Sequence, residues 1–306
     1  MIIGVFPGQG SQTPGFLSPW LDLPGARELV GGYSDAAGVD LLAAGTEWDA
    51  DAIRDTKIAQ PLIVAASLLS WRELAERTDA VFAGVAGHSV GEIAALVAAG
   101  VLSDDEGLRL VGIRGRAMAD AADAAPTGMA AVVGGVEDDV LARLAGLDLT
   151  PANYNGGGQI VAAGALDALA SLAADAPRGA RVIPLRVAGA FHTRYMAPAV
   201  ETLAAAASEL APADPVLTLW TNADGTAVGS GARALDLLVG QVASPVRWDL
   251  CMASFADAGV TGLVELSPAG TLTGLAKRGL RGVPAVAVKT PDDLDAAVAL
   301  LTEEAA

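Results

Sequence analysis

Short apolar segments alternate with longer amphipathic stretches along the chain, a pattern that predicts strands joined by helices. Residues 2–6 form an apolar run that ends in a glycine-rich loop, as expected of a buried strand. A long helix is predicted over 61–77, with Pro61 in its first turn. The apolar run 81–86 then passes through a tight turn into the helical pattern of 93–99. Later strands are predicted at 216–220, 260–266 and 285–288, each followed by a helical stretch, so the repeated unit indicates a parallel α/β sheet.

The segment between residues 128 and 187 has a different order of elements. Strands are predicted at 128–134, 149–153, 159–163 and 180–187, and helices at 137–145 and 165–174. The order β-α-β-β-α-β is typical of a ferredoxin-like unit. Because the alternation of strand and helix resumes afterwards, we predict an α/β core formed by residues 1–123 and 189–306, interrupted by a ferredoxin-like inserted subdomain at 124–188.

Composition and charge exclude several classes of protein. Of the 306 residues, 52% are apolar and 18% are charged, which is enough to build a large core. No apolar run is long enough to span a membrane, and a net charge of −17 would repel nucleic acid. The single cysteine, Cys251, cannot form an internal disulfide, which fits a cytoplasmic location, and two histidines exclude a multi-histidine metal site.

The segment Gly87-His88-Ser89-Val90-Gly91 carries the strongest chemical signal. It is a G-x-S-x-G sequence between a predicted strand and a predicted helix, the position of a nucleophile elbow. Glycines on both flanks let the backbone turn without Cβ clashes, and the Val90 N–H lies at a helix N-terminus, where an oxyanion is favoured. The alternative is an ordinary glycine-rich turn, but the position between strand and helix favours a nucleophilic Ser89.

A serine nucleophile needs a general base, and histidine is the usual one. His88 should point away from its neighbour Ser89, so His192, in a predicted turn after a strand, is the candidate base. An α/β-hydrolase would place an acid between the two in chain order. The available residues, such as Asp167 and Asp175, fall within the predicted insertion, so a simple esterase fits poorly.

An arginine lies on the apolar face of a predicted helix. Ser103 and Glu106 form a capping box that starts this helix at Asp104, and helical spacing places Arg114 among apolar side chains. A buried guanidinium is costly unless an anion meets it. Spacing alone favours a structural role for Arg114, either in an internal salt bridge or with its charged end reaching water. It leaves open the alternative that Arg114 binds a substrate carboxylate through two hydrogen bonds.

With these residues identified, the whole chain resembles the malonyl-CoA:acyl carrier protein transacylases, and actinobacterial members in particular. The matching motifs, in chain order, are Pro7-Gly8-Gln9-Gly10-Ser11-Gln12, Gly87-His88-Ser89-Val90-Gly91-Glu92, Ile113-Arg114-Gly115, Gly158-Gln159-Ile160-Val161, Ala190-Phe191-His192, and Gln241 ahead of Pro245-Val246-Arg247-Trp248. The resemblance implies an α/β-hydrolase-like core with a ferredoxin-like insertion, in agreement with the order of elements above.

The resemblance also implies a catalytic role for particular residues. Ser89 would be the acylated nucleophile and His192 the general base, and the main-chain N–H groups of Gln9 and Val90 would form the oxyanion hole. In the family a backbone carbonyl near the glutamine that matches Gln241 orients the histidine, in place of a triad acid. Transfer would be ping-pong between two thioesters, with malonyl-CoA as substrate and no metal or other cofactor.

Three residues would determine which acyl group is bound. Arg114 would bind the free carboxylate of the malonyl group, and Gln241 would help to position both this arginine and the base. Phe191 occupies a position where methylmalonyl-selective relatives tend to have serine, so its ring would fill the space of an α-methyl group. One methyl discriminated by packing is worth about 1–3 kcal/mol, which predicts a preference for malonyl rather than absolute exclusion.

The implied protein partner, an acyl carrier protein, is acidic, as is this chain. A local basic patch is therefore expected, and Lys277, Arg278 and Arg194 are the candidates for contact with the carrier protein or the CoA phosphates. Cations that balance a helix dipole are the alternative for the first two. A monomer fits the chain length.

Two other functions compete with malonyl transfer. A serine hydrolase, such as an editing thioesterase, would hand the acyl group to water instead of a thiol. A non-catalytic scaffold that binds carrier protein would not need an intact Ser89, His192 and Arg114. The complete set of motifs favours transfer.

Overall fold

The computed structural model describes residues 1–303 and contains two five-stranded sheets. The strands, numbered in chain order, are β1 (Ile2–Phe6), β2 (Gly84–Gly87), β3 (Thr127–Gly134), β4 (Thr150–Gly156), β5 (Gln159–Ala165), β6 (Ala180–Pro184), β7 (Thr218–Trp220), β8 (Val246–Arg247), β9 (Gly262–Glu265) and β10 (Ala285–Ala287). The α-helices are α1 (Ala26–Ala37), α2 (Leu41–Thr46), α3 (Thr56–Ala75), α4 (Gly91–Ala98), α5 (Asp104–Asp123), α6 (Glu137–Gly146), α7 (Leu166–Ala174), α8 (Ala197–Ala207), α9 (Gly231–Gln241), α10 (Trp248–Asp257), α11 (Thr271–Gly279) and α12 (Leu294–Glu303).

The first sheet has the strand order β10-β9-β1-β2-β7, and every neighbouring pair is parallel. Successive side chains of a strand point to opposite faces. In β1, Ile2 and Phe6 belong to one buried cluster, and Ile3 and Val5 belong to another. Both faces of the sheet are therefore covered, as parallel sheets require. The predicted parallel α/β core is confirmed.

The second sheet has the strand order β6-β3-β5-β4-β8. Strands β3 to β6 pair antiparallel, and helices α6 and α7 follow β3 and β5 in the chain. Strand β8 comes from outside the predicted insertion and pairs parallel with β4, with Asn153 opposite Val246. This short pairing attaches the second sheet to the segment that follows Gln241.

Several predicted element boundaries were wrong. Helix α3 begins at Thr56 because the Asp55 carboxylate accepts a hydrogen bond from the Lys57 N–H, so Pro61 lies inside the helix and not in its first turn. Strand β2 begins at Gly84, and the side chain of Val81 is 82% exposed. Helices α1 and α2 had no predicted counterpart. By contrast, the capping box at the start of α5 is confirmed.

The pairing of the central strands creates the site. In the parallel register Phe6 lies opposite Gly87, so the loop after β1 and the turn after β2 leave the same edge of the sheet side by side. Helix α5 packs against α3 and brings its buried face toward this edge. Within residues 1–303, no helix is long and apolar enough to cross a membrane.

Candidate active site

Ser89 lies on a strained turn between β2 and α4. Its φ angle is 53°, in the left-handed region that a residue with a side chain rarely adopts. The two flanking glycines are required by close approach of the backbone. A Cβ on Gly87 would lie 2.0 Å from the carbonyl carbon of Gly91, and a Cβ on Gly91 would lie 2.2 Å from the carbonyl oxygen of Phe6. The turn therefore projects the serine hydroxyl from the end of the strand.

The predicted base meets the predicted nucleophile. The Ser89 Oγ lies 2.7 Å from the Nε2 of His192, and the Nδ1 of His192 lies 2.8 Å from the carbonyl oxygen of Gln241. A carbonyl can only accept, so Nδ1 carries the proton and the neutral ring leaves Nε2 to accept from the serine hydroxyl. This is the arrangement of a general base aimed at a nucleophile.

The His192 ring is held in its neutral form by its surroundings. Burial, together with the positive charge of Arg114, lowers the pKa of His192 to about 3. Among residues 1–303, the group that orients the ring is the carbonyl of Gln241 and not a carboxylate. The Nε2 of His88, the other histidine, lies 2.9 Å from the Oδ1 of Asn155, so His192 is the histidine that is hydrogen-bonded to Ser89.

Arg114 reaches the same point from helix α5. Its Nη2 donates to the side-chain oxygen of Gln241 (2.9 Å) and to the Oγ of Ser89 (3.4 Å), and its Nη1 donates to the Oε1 of Gln60 (2.7 Å). The side chain is buried, and its Nε has no hydrogen-bond partner within residues 1–303. No carboxylate of these residues forms an ion pair with Arg114, so the salt-bridge alternative is wrong.

Burial lowers the pKa of Arg114 to about 10, and the negative charge of nearby Glu92 opposes that shift. The guanidinium therefore stays positively charged at neutral pH. A buried cation with free donors beside a nucleophile can bind an anionic part of an acyl group in a bidentate manner.

A cavity of about 220 Å³ opens onto the nucleophile and the base. Ser89, His192, Gln9, Val90 and Phe191 line it, together with Met118 and apolar side chains of the second sheet. The main-chain N–H groups of Gln9 and Val90 form no hydrogen bond within residues 1–303. Two free donors at the cavity wall can accept a developing oxyanion.

The three predicted docking residues are exposed. Lys277 and Arg278 are exposed in the last turn of α11, the helix whose first turn contributes Thr271 to the cavity wall. Arg194 is exposed and forms a two-pronged ion pair with Asp148. The exposed positions allow contact with a partner, and the pairing with Asp148 reduces the free charge of Arg194.

Three residues of the site were missed by sequence reasoning: Gln60, Asn222 and Glu92. Asn222 holds the elbow, since its Oδ1 accepts from the Ser89 N–H (2.8 Å) and its Nδ2 donates to the Gly87 carbonyl (2.8 Å). Burial raises the pKa of Glu92 to about 7. The signal available in the sequence was the placement of polar Gln60 and Glu92 within otherwise apolar helical stretches.

Comparison with known proteins gives one consistent result. The sequence profile described as an acyl transferase domain matches residues 4–300. The malonyl CoA-acyl carrier protein transacylase of Mycobacterium tuberculosis is 57% identical over 299 residues, which cover 96% of this chain and 98% of that protein.

Solved structures agree with the sequence match. A crystal structure of MCAT from Mycobacterium tuberculosis superposes with a TM-score of 0.93 at 56% identity, covering 97% of this chain and 99% of that one. A malonyl-transacylase solved in complex with its type II PKS acyl-carrier protein superposes with a TM-score of 0.91 at 31% identity, covering 97% and 99%.

Proposed function

The chain belongs to the acyl transferase domain family, and we propose that it transfers a malonyl group from malonyl-CoA to the phosphopantetheine thiol of an acyl carrier protein. The proposal draws on the names of the similar proteins, which are malonyl CoA-acyl carrier protein transacylases. The product would supply fatty acid or polyketide synthesis. We further propose that the protein acts in the cytoplasm, in keeping with its single, unpaired Cys251.

One observation carries the choice of acyl group: a buried guanidinium lies 3.4 Å from the nucleophilic oxygen and makes no ion pair within residues 1–303. An acyl group bonded to Ser89 would place its far end within reach of Arg114. A malonyl group ends in a carboxylate, an anion that a guanidinium can bind through two parallel hydrogen bonds, whereas an acetyl group has no charge.

In the first half-reaction the Ser89 oxygen attacks the thioester carbonyl of malonyl-CoA while His192 takes the hydroxyl proton at Nε2. The negative charge that develops on the carbonyl oxygen would be stabilised by the N–H groups of Gln9 and Val90. The tetrahedral intermediate collapses, the C–S bond breaks, and His192 returns the proton to the departing CoA thiolate.

In the second half-reaction the phosphopantetheine thiol enters the cavity and gives its proton to His192. The thiolate sulfur attacks the malonyl-Ser89 ester, and the C–O bond to Ser89 breaks. The serine oxygen regains its proton from His192. Exchange of one thioester for another through an ester is redox-neutral, so the proposed chemistry needs no cofactor beyond the acyl-CoA substrate.

The test is intact mass spectrometry after mixing with malonyl-CoA, followed by addition of phosphopantetheinylated carrier protein. We expect one malonyl adduct that is absent in Ser89→Ala and that disappears as malonylated carrier protein forms. Steady release of free CoA without an adduct would support the serine hydrolase or editing thioesterase instead. If no adduct forms and no CoA is released, both enzymatic functions would be overturned.

A further inference from the structure

Glu92 is a buried acid beside the site to which the mechanism above gives no role. It occupies the first turn of α4, three residues after the nucleophile, and its side chain is 5% exposed. Its Oε1 accepts a hydrogen bond from the main-chain N–H of Asn222, and its Oε2 accepts one from the side-chain Nε2 of Gln241. Transfer of a carboxylate from water into the protein interior costs free energy that these hydrogen bonds must offset, so the position of Glu92 calls for a physical explanation.

The hydrogen bonds of Gln241 fix which way its amide faces. The Nε2 group faces acceptors only: Glu92, the Ser89 carbonyl at 3.2 Å and the Asn222 Oδ1 at 3.3 Å. The Oε1 atom faces the Nη2 of Arg114 at 2.9 Å. With the amide reversed, nitrogen would face the guanidinium donors and oxygen would face three acceptors. Both carboxyl oxygens of Glu92 accept hydrogen bonds, and this makes the observed orientation of the Gln241 amide the favourable one.

In its ionised form, Glu92 also offsets the buried charge of Arg114. The two side chains are joined through the Gln241 amide and share no direct hydrogen bond. The negative charge on Glu92 raises the pKa of Arg114 against the effect of burial, so the two charges interact. A direct salt bridge would occupy the donors of the guanidinium. A counter-charge one amide away leaves those donors free for an incoming carboxylate.

We propose that Glu92 is a positioning residue for carboxylate recognition: it orients the Gln241 amide and, through it, holds Arg114 ready for the malonyl carboxylate. This inference rests on the proposed function. A residue that merely stabilises the fold would affect all acyl groups alike, whereas a positioning role predicts that replacing Glu92 affects only acyl groups that carry a carboxylate. Acetyl-CoA, which lacks that carboxylate, is the matched probe.

The decisive variant is Glu92→Gln. The main-chain N–H of Asn222 is a fixed donor, so the new carboxamide must turn its oxygen toward it and its nitrogen toward Gln241. Gln241 then reverses to avoid two facing donors, and Arg114 loses an acceptor. We expect the ratio of malonyl to acetyl acylation rates of Ser89 to fall by about tenfold or more, the size of one lost charge-assisted hydrogen bond.

Two further variants separate this role from general destabilisation. Glu265→Gln removes another fully buried carboxylate, one that accepts from the N–H groups of Leu272 and Thr273, and it should leave the ratio unchanged. In an Arg114→Ala background, Glu92→Gln should no longer alter the ratio, because the group through which it acts is gone. Both ratios compare two substrates on one protein, so a partly unfolded sample does not distort them.

The outcomes are distinct. A fall in the ratio in Glu92→Gln, abolished in the Arg114→Ala background, supports the inference. Equal losses of malonyl and acetyl acylation, or the same fall with and without Arg114, would overturn it. Failure of the unmodified protein to form a malonyl adduct at all would instead refute the proposed function on which the inference rests.

Discussion

Replacement of Arg114 by alanine tests the structural reasoning most directly. The substitution removes the buried guanidinium next to Ser89 and leaves the side-chain oxygens of Gln60 and Gln241 without their donor. A malonyl carboxylate would then enter the site with no cation to meet it. Truncation of one partner of a buried, hydrogen-bonded charge pair costs about 2–5 kcal/mol, so malonyl acylation should slow by roughly 30-fold to several thousand-fold.

Acetyl acylation provides the internal reference for this variant. It has no carboxylate to lose, and it feels Arg114 only through the 3.4 Å contact with the Ser89 oxygen and through the effect of the guanidinium on the pKa of His192. A hydrogen bond with one charged partner is worth about 1.5–3 kcal/mol, and a donor–acceptor distance of 3.4 Å is longer than the usual range, so we expect a change of about tenfold or less. Arg114→Lys should fall between, because an ammonium keeps the charge and loses the planar fork.

The assay is the rate of adduct formation on Ser89 with each acyl-CoA, followed by quenching and intact mass. Arg116→Ala is the matched control: it lies on the same helix, donates to the Ala37 carbonyl, and does not line the cavity. Equal slowing of malonyl and acetyl acylation in Arg114→Ala would refute carboxylate recognition and would assign the arginine to the nucleophile alone.

Three further predictions follow from the same geometry. Phe191→Ser should raise methylmalonyl relative to malonyl acylation by about tenfold, within the range for one methyl group; an unchanged ratio in parallel time courses would remove the ring from substrate selection. The pKa of His192 lies near 3 in the folded state, below the ordinary value of about 6.5. Below about pH 6.5, His192 therefore binds a proton in the unfolded chain but not in the folded one, and the free energy of unfolding decreases as the pH falls. His192→Gln should therefore gain about 1–2 kcal/mol relative to the unmodified protein between about pH 7.5 and about pH 5 in urea denaturation, and parallel stability curves would contradict this. Lys277→Glu combined with Arg278→Glu should raise the carrier-protein KM several-fold at low salt and less at high salt, with Lys57→Glu as the exposed control; a KM independent of the exchange would exclude docking there.

The α/β core could be predicted from the sequence because its strands and helices are marked by short segments of neighbouring residues. An apolar run such as 2–6 with a glycine-rich end can bury both faces only in a covered sheet, and the capping box at Ser103 marks a helix start by itself. Element boundaries were harder. Val81 is as apolar as its neighbours, but β1 provides parallel partners only from Gly84 onward, and this pairing depends on residues far away in the chain.

The same distinction separates the site residues that were predicted from those that were missed. Ser89 and Arg114 violate a local rule, one by a strained turn and the other by a charge on an apolar face, so the sequence marks them. Asn222 is a polar residue in a loop, which is where such a residue is expected, so the sequence does not mark it. Its function comes from two hydrogen bonds to the nucleophile elbow, more than 130 residues earlier in the chain. Such contacts become visible only when β2 and β7 are placed side by side.

The lack of a triad acid, which argued against a simple esterase, has a physical explanation in the geometry. A carboxylate hydrogen-bonded to the Nδ1 of His192 would put a negative charge in the region where Arg114 is to bind the carboxylate of the acyl group, and the two anions would compete. The Gln241 carbonyl gives His192 the same tautomer without that charge. The buried acid Glu92 is kept one amide away from Arg114. Within residues 1–303 the donors of Arg114 are therefore not taken up by a carboxylate of the protein, which favours an acyl group that brings its own anion.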